Sequence, residues 1–147
     1  IRGVEGALSM PVGPFVADAA FTWLRGENRQ DDEPLYQMPP AELRLGIGQP
    51  AAQGFYWRTQ LRAVARQDLV ATRFSGGTEN ETAGFATADA RFGWRFGRVG
   101  GLSAASIDLR FLNLFDRQYH EPLTDGISGR ELPAPGRGVL IGFSAEL

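Results

Sequence analysis

In the stretch Gly84-Phe85-Ala86-Thr87-Ala88-Asp89-Ala90-Arg91-Phe92-Gly93-Trp94-Arg95-Phe96-Gly97, every second residue from Ala86 to Phe96 is apolar. The residues between them include Asp89, Arg91 and Arg95. Side chains of a β-strand point alternately to its two faces, so this period of two describes one strand with an uncharged face and a charged face.

Working outward, six further segments share the period, at about 3–10, 15–25, 41–49, 55–67, 105–114 and 138–147. One uncharged face runs through all of them. It holds Val4, Leu8 and Met10, then Phe15, Ala17, Ala19, Phe21 and Trp23, then Leu43, Leu45 and Ile47. Trp57, Thr59, Leu61, Ala63 and Ala65 follow, then Ile107, Leu109 and Phe111, and finally Val139, Ile141, Phe143, Ala145 and Leu147. The other face carries Glu5, Asp18, Glu42, Arg44, Arg58, Arg62, Arg66, Asp108, Arg110 and Glu146. Alternation alone fits a soluble barrel or sandwich as well as a membrane barrel. Two features favour the membrane. Aromatics sit near strand ends, with Phe15, Trp57, Trp94 and Phe96 at one end and Trp23 and Phe111 towards the other, as interfacial girdles require. Alanines fill much of the span between, whereas a soluble core needs bulky interlocking residues there.

The links alternate in length. Residues 11–14, 50–54 and 98–104 make short ones; 26–40, 68–83 and 115–137 make long polar ones. Short periplasmic turns and long outward loops are the habit of transmembrane barrels, which would put Leu147 on the periplasmic side. Seven consecutive antiparallel strands cannot close, because the first and last would run parallel. Open edges in lipid cost several kcal/mol per unpaired backbone group. The expectation is therefore an all-β, antiparallel transmembrane β-barrel segment that needs further strands, while an eighth strand would permit a small closed barrel. The start at Ile1-Arg2-Gly3-Val4-Glu5 already alternates, with no signal peptide ahead of it, so either a leader is gone or the chain begins within something larger. A net charge of −2 argues against a nucleic-acid partner. The absence of cysteine removes disulfide frameworks and cysteine zinc sites. No apolar run reaches the roughly 18–20 residues of a membrane-spanning helix.

Several short motifs carry a family resemblance. Asn113-Leu114-Phe115-Asp116-Arg117-Gln118-Tyr119 resembles the sequence that closes the penultimate strand of TonB-dependent receptors, and Pro135-Gly136-Arg137 resembles the one that opens their final strand. Pro34-Leu35-Tyr36-Gln37-Met38-Pro39-Pro40 resembles their entry into a downward strand. Gly3-Val4-Glu5 and Gly84 through Asp89 resemble strand openings of the same family. The resemblance implies that residues 1–147 are the last seven strands of a barrel of about 22 around a plugged lumen. It also implies partners outside this chain: the remaining barrel strands, a plug domain, TonB engaged through the N-terminal part, the outer-membrane bilayer and a metal-chelate ligand. Leu147 departs from the family's usual terminal aromatic.

Arg58, Arg62 and Arg66 fall on the charged face of one strand, where they could attract an anionic metal chelate or acidic plug residues. Pairing with acids such as Asp89 or Glu42 is the plainer reading. Tyr36, Phe74 and Tyr119 lie in or beside the long links and could meet a flat ligand or one another. The acidic run 27–33 lacks the EF-hand spacing for calcium, and His120 has no second histidine or cysteine to share a metal. Met38 beside Pro39 reads as strand-entry packing rather than a copper ligand. Asn80-Glu81-Thr82 matches a glycosylation sequon, which a bacterial outer membrane makes irrelevant. Neither a metal site, a resident cofactor nor a catalytic constellation is expected. The favoured function is active uptake of a metal chelate such as a ferric siderophore. A small stand-alone barrel with a structural or adhesive role and a soluble lipocalin-like binding protein are the alternatives.

Overall fold

The computed structural model of the chain describes residues 1–124 and 132–146. Within them lie β1 (Arg2–Val12), β2 (Phe15–Arg25), β3 (Glu27–Asn28), β4 (Glu33–Pro34), β5 (Glu42–Gln49), β6 (Gly54–Val64), β7 (Phe85–Phe96), β8 (Ala104–Leu112) and β9 (Gly138–Glu146). Seven of these form one antiparallel sheet in the order β1-β2-β5-β6-β7-β8-β9. The sheet is open, with β1 and β9 as its edges. β3 and β4 make a separate two-residue hairpin within a link that the sequence presents simply as loop. Leu147 and the middle of the last long link, 125–131, lie outside the described residues.

The register aligns the two faces across the whole sheet. On one face Leu8 stands opposite Ala19, Ala19 opposite Leu45, Leu45 opposite Leu61 and Leu61 opposite Ala88. On the other, Asp18 stands opposite Gly46, Gly46 opposite Gln60 and Gln60 opposite Asp89. A slip of one residue would move every charge onto the apolar side.

Burial is inverted relative to a water-soluble sheet. Leu8 is 61% exposed, Phe143 73% and Ile141 77%, while Asp108 on the charged face is 6% exposed. A soluble protein buries its large apolar residues and seldom leaves so broad an apolar surface open. Facing hydrocarbon, the same surface needs no cover, because the strands satisfy their backbone groups against one another. A lipocalin-like protein would keep its apolar face inside, and this one turns that face out.

Strand ends differ from the sequence reading in three places. β1 continues through Pro11 to Val12, shrinking the first link to a turn at Gly13 and Pro14; within this sheet β1 is an edge, where a residue lacking N–H is tolerated. β6 ends at Val64 rather than near 67; beyond it Ala65 N still donates to Ala41 O at 2.8 Å, and Gln67 bridges to Thr82. β8 stops at Leu112 because Asn113 takes φ 48°, a left-handed conformation that cannot extend a strand. The links still alternate, short after β1, β5 and β7 and long after β2, β6 and β8. At the short-link end the Phe15 and Trp57 rings meet at 5.8 Å.

Candidate functional site

The charged face is a lattice of arginines held by carboxylates. Arg58 on β6 reaches over β5 to Asp18 on β2, Nη2 to Oδ1 at 2.5 Å. Gly46 makes that reach possible. A Cβ at Gly46 would stand 2.7 Å from Arg58 Nη2 and 2.8 Å from Asp18 Oδ1. Arg62 donates to Glu121 at 2.5 Å and 2.9 Å, and to Glu42 at 3.0 Å. Its guanidinium lies 5.2 Å above the Phe85 ring, and Phe85 stacks on Tyr119 at 4.0 Å. Arg66, past the end of β6, pairs with Glu81 in an exposed position. Arg91 and Arg110 share the buried carboxylate of Asp108. Arg91 and Arg95 bracket the Tyr56 ring at 5.4 Å and 5.1 Å.

This crowding has an electrostatic reason. Arg44 stands directly opposite Arg62, Arg58 opposite Arg91, and Arg91 opposite Arg110. Like charges so placed repel. Glu42, Asp18 and Asp108 interleave with them and offset the repulsion, so much of the arginine density is structural. Arg58, Arg62 and Arg66 thus each carry a carboxylate partner, and Glu42 is the partner of Arg62 that its sequence position suggests. Asp89, the other acid so suggested, instead accepts the Asn113 N–H at 2.8 Å.

Two outward links dock on each other above this face. Buried Glu79 accepts the N–H of Gln37 at 2.8 Å and of Ala71 at 2.6 Å. Buried Gln67 donates to the carbonyls of Met38 at 2.7 Å and Leu69 at 3.1 Å. Glu33 accepts from Arg73 N at 3.0 Å and Phe74 N at 3.2 Å. The Tyr36 and Phe74 rings meet at 5.5 Å, so these two aromatics pack together, while Tyr119 stays apart on Phe85. Met38 is buried and lies with Leu35 against Gly26. Nothing in the sequence marks Glu79 or Glu121, because Gln37 lies 42 residues from the first and Arg62 59 from the second.

Both carboxylate clamps yield expected results. Glu79→Ala leaves the buried Ala71 amide without an acceptor, at a cost of about 1–3 kcal/mol, and frees the amide of the more exposed Gln37 as well. Hydrogen exchange at Gln37 and Ala71 should then accelerate by about tenfold or more, with the strands unaffected. The Arg73 N–H, helped by that of Phe74, holds the Glu33 carboxyl below its ordinary value. A lowered folded pKa gives a stabilisation fully present above the ordinary glutamate value of about 4.3 and lost as pH falls below it. Protease nicking of residues 70–78 should accordingly rise between about pH 5 and pH 3, and less so in Glu33→Gln.

The TonB dependent receptor-like, beta-barrel family matches residues 1–114. The chain belongs to this family. That membership makes it a bacterial outer-membrane protein. Among solved structures it is similar to one described as "Copper transporter OprC", with 24% identity and a TM-score of 0.76. The match covers 95% of this chain and 23% of that one, so the chain spans about a quarter of that transporter's length. No curated protein matches it.

In this TonB-dependent receptor barrel, the terminal motif residues form a clasp between β8 and β9. The Asn113 side chain accepts the Arg117 N–H and donates to the Arg117 carbonyl, both at 2.9 Å. Leu114 N donates to Ala88 O at 2.8 Å, tying the motif to β7. Phe115 remains 79% exposed. Asp116, itself at φ 52°, accepts the Arg137 N–H at 2.8 Å and lies 3.7 Å from its guanidinium. Gly136 fits because a Cβ there would come within 2.9 Å of the Asp116 carboxylate, and Pro135 leads into it. The two motifs, 21 residues apart, are thus one structural unit.

Proposed function

We propose that residues 1–147 form the C-terminal portion of the barrel wall of a TonB-dependent transporter. The complete receptor would take up a metal chelate such as a ferric siderophore, with energy delivered through TonB. The observation that carries this reading is the open seven-stranded sheet of a receptor barrel, apolar outside and arginine-rich inside. Its two unpaired edges call for further strands, and a lumen so charged suits a polar plug. The plug domain, the earlier strands and the TonB contact belong to the remainder of the receptor. Family and structural neighbour are receptors and transporters, which fits a role without catalysis.

An anionic chelate is favoured over a bare soft metal ion. Met38, the thioether nearest the outward links, is engaged in packing. The outward aromatics Tyr36 and Phe74, whose rings meet at 5.5 Å with a tilt of 48°, offer aromatic contact for an organic chelator, and an anionic ligand reaching Arg58, Arg62 or Arg66 would exchange places with the carboxylate each now holds. Uptake of labelled ferric siderophore and of labelled copper by cells expressing the complete receptor, with and without TonB, tests the proposal. TonB-dependent iron accumulation is expected. Copper accumulation alone would overturn the cargo, and uptake independent of TonB would overturn the mechanism.

A further inference from the structure

Arg58, Arg62 and Arg66 differ in where their carboxylates come from. Arg58 is held by Asp18, which belongs to the wall itself. Arg66 is held by Glu81, 15 residues along and within the same link. Arg62 is held by Glu121, 59 residues away in the link between β8 and β9. Of the three pairs, this one alone ties the lumen wall to a separate outward link.

The grip is two-pronged. Arg62 Nη1 donates to Glu121 Oε1 at 2.5 Å, and Nη2 donates to Oε2 at 2.9 Å. A planar guanidinium edge matches a carboxylate in this way. Glu42 on β5 accepts from the same Nη2 at 3.0 Å and also pairs with Arg44. If Glu121 leaves, Arg62 therefore keeps one carboxylate and opens the fork that Glu121 filled. The Arg62 and Glu121 side chains are 24% and 33% exposed, so solvent already reaches the pair. Arg62 stands near the outer end of β6, where an incoming ligand meets it before Arg58. The link has a second anchorage beside it. Tyr119 stacks on Phe85 at 4.0 Å, and its carbonyl accepts the Ala134 N–H at 2.9 Å.

We propose that Glu121 is an internal stand-in for cargo. The carboxylate arm of an anionic chelate takes its place on Arg62 and thereby frees residues 120–124 from the lumen wall. Arrival of cargo is in this way converted into release of one outward link, because the chelate binds only the form in which the seat is open. The inference rests on the anionic-chelate reading above and adds to it a free carboxylate as the recognised group. The resident carboxylate lowers apparent affinity, since cargo meets an open seat only in the fraction of receptors from which Glu121 has moved away. Neutralising Glu121 should tighten binding, where loss of a merely structural contact would weaken it.

Isothermal titration of the complete receptor with ferric citrate, which offers free carboxylates, and with ferric acetohydroxamate, which offers none, tests this. E121Q should bind the citrate chelate about fivefold tighter and leave the hydroxamate chelate unaffected, whereas R62Q should bind the citrate chelate about tenfold more weakly. In the unaltered receptor, hydrogen exchange at residues 120–124 should quicken when ferric citrate is added. Equal or weaker citrate-chelate binding by E121Q with normal heat-dependent gel mobility would overturn the proposal, as would tightening for both chelates alike. So would the absence of any ferric citrate binding, while the cargo reading stands or falls separately on the uptake assay. Should E121Q fail to fold, exchange on the unaltered receptor decides alone, and an unchanged rate at 120–124 refutes the proposal.

Discussion

Leu45→Arg should destabilise the barrel by about 2–4 kcal/mol, the cost of an arginine on the lipid side at mid-bilayer depth. Leu45 is central in β5 and 41% exposed. On a soluble protein a position so open tolerates substitution within about 0.5 kcal/mol, so the two environments predict results that differ severalfold. Gln60→Arg is the matched control. Gln60 lies on the charged face opposite Gly46 and Asp89, where a further cation meets a carboxylate. Unfolding of the complete receptor from vesicles by denaturant, with heat-dependent gel mobility as a check on insertion, measures both. If Leu45→Arg matched the parent in stability, the assignment of the apolar face to lipid would be wrong.

Asn113→Ala should cost about 2–4 kcal/mol, felt locally in the β8–β9 connection. Three terms contribute. Asn113 is 5% exposed, so losing its two side-chain hydrogen bonds strands the Arg117 N–H and C=O. Its left-handed φ suits asparagine and penalises alanine by roughly 1 kcal/mol or more. The displaced turn then misdirects Asp116, which holds Arg137 at the entry to β9. Asn113→Gly separates these terms, because glycine accepts the φ while losing the same bonds. It should recover about 1 kcal/mol relative to alanine. Asp116→Ala, at φ 52°, carries the same backbone penalty but should do less in all, since both its contacts with Arg137 are exposed. Denaturant unfolding combined with limited proteolysis of residues 113–137 would rank the three variants. Identical behaviour of alanine and glycine would mean that backbone strain plays no part.

The two faces were legible because a strand's period is so short that a dozen residues suffice to expose it. Val4 to Met10 and Ala86 to Phe96 each declare their outer face unaided, and the length of the links completes the meander. What the sequence hides is set by contacts at long separation. Gly46 reads as filler until Arg58 and Asp18 are seen to cross above it. Glu79 reads as one acid in a polar loop until its two amide partners come from different segments. The arginines at 58, 62 and 66 are plainly cationic in sequence, yet which anion each one meets depends on strand order and loop docking. The terminal motifs were visible as strings, whereas their joining through Asp116 and Arg137 is a property of the turn at Asn113.

A sheet whose spatial order repeats its chain order also has a natural history of assembly. Each new hairpin needs only the strand just laid down, whose free edge acts as the template for the next. Closing a longer link delays this little, since the entropy of closure rises only with the logarithm of its length. This order permits zipper-like growth, in which a stall at one hairpin need not undo those before it. The tie from Arg58 to Asp18 spans three strands, so it can form only after β6 has arrived. It works as a ratchet, resisting the departure of a strand already added.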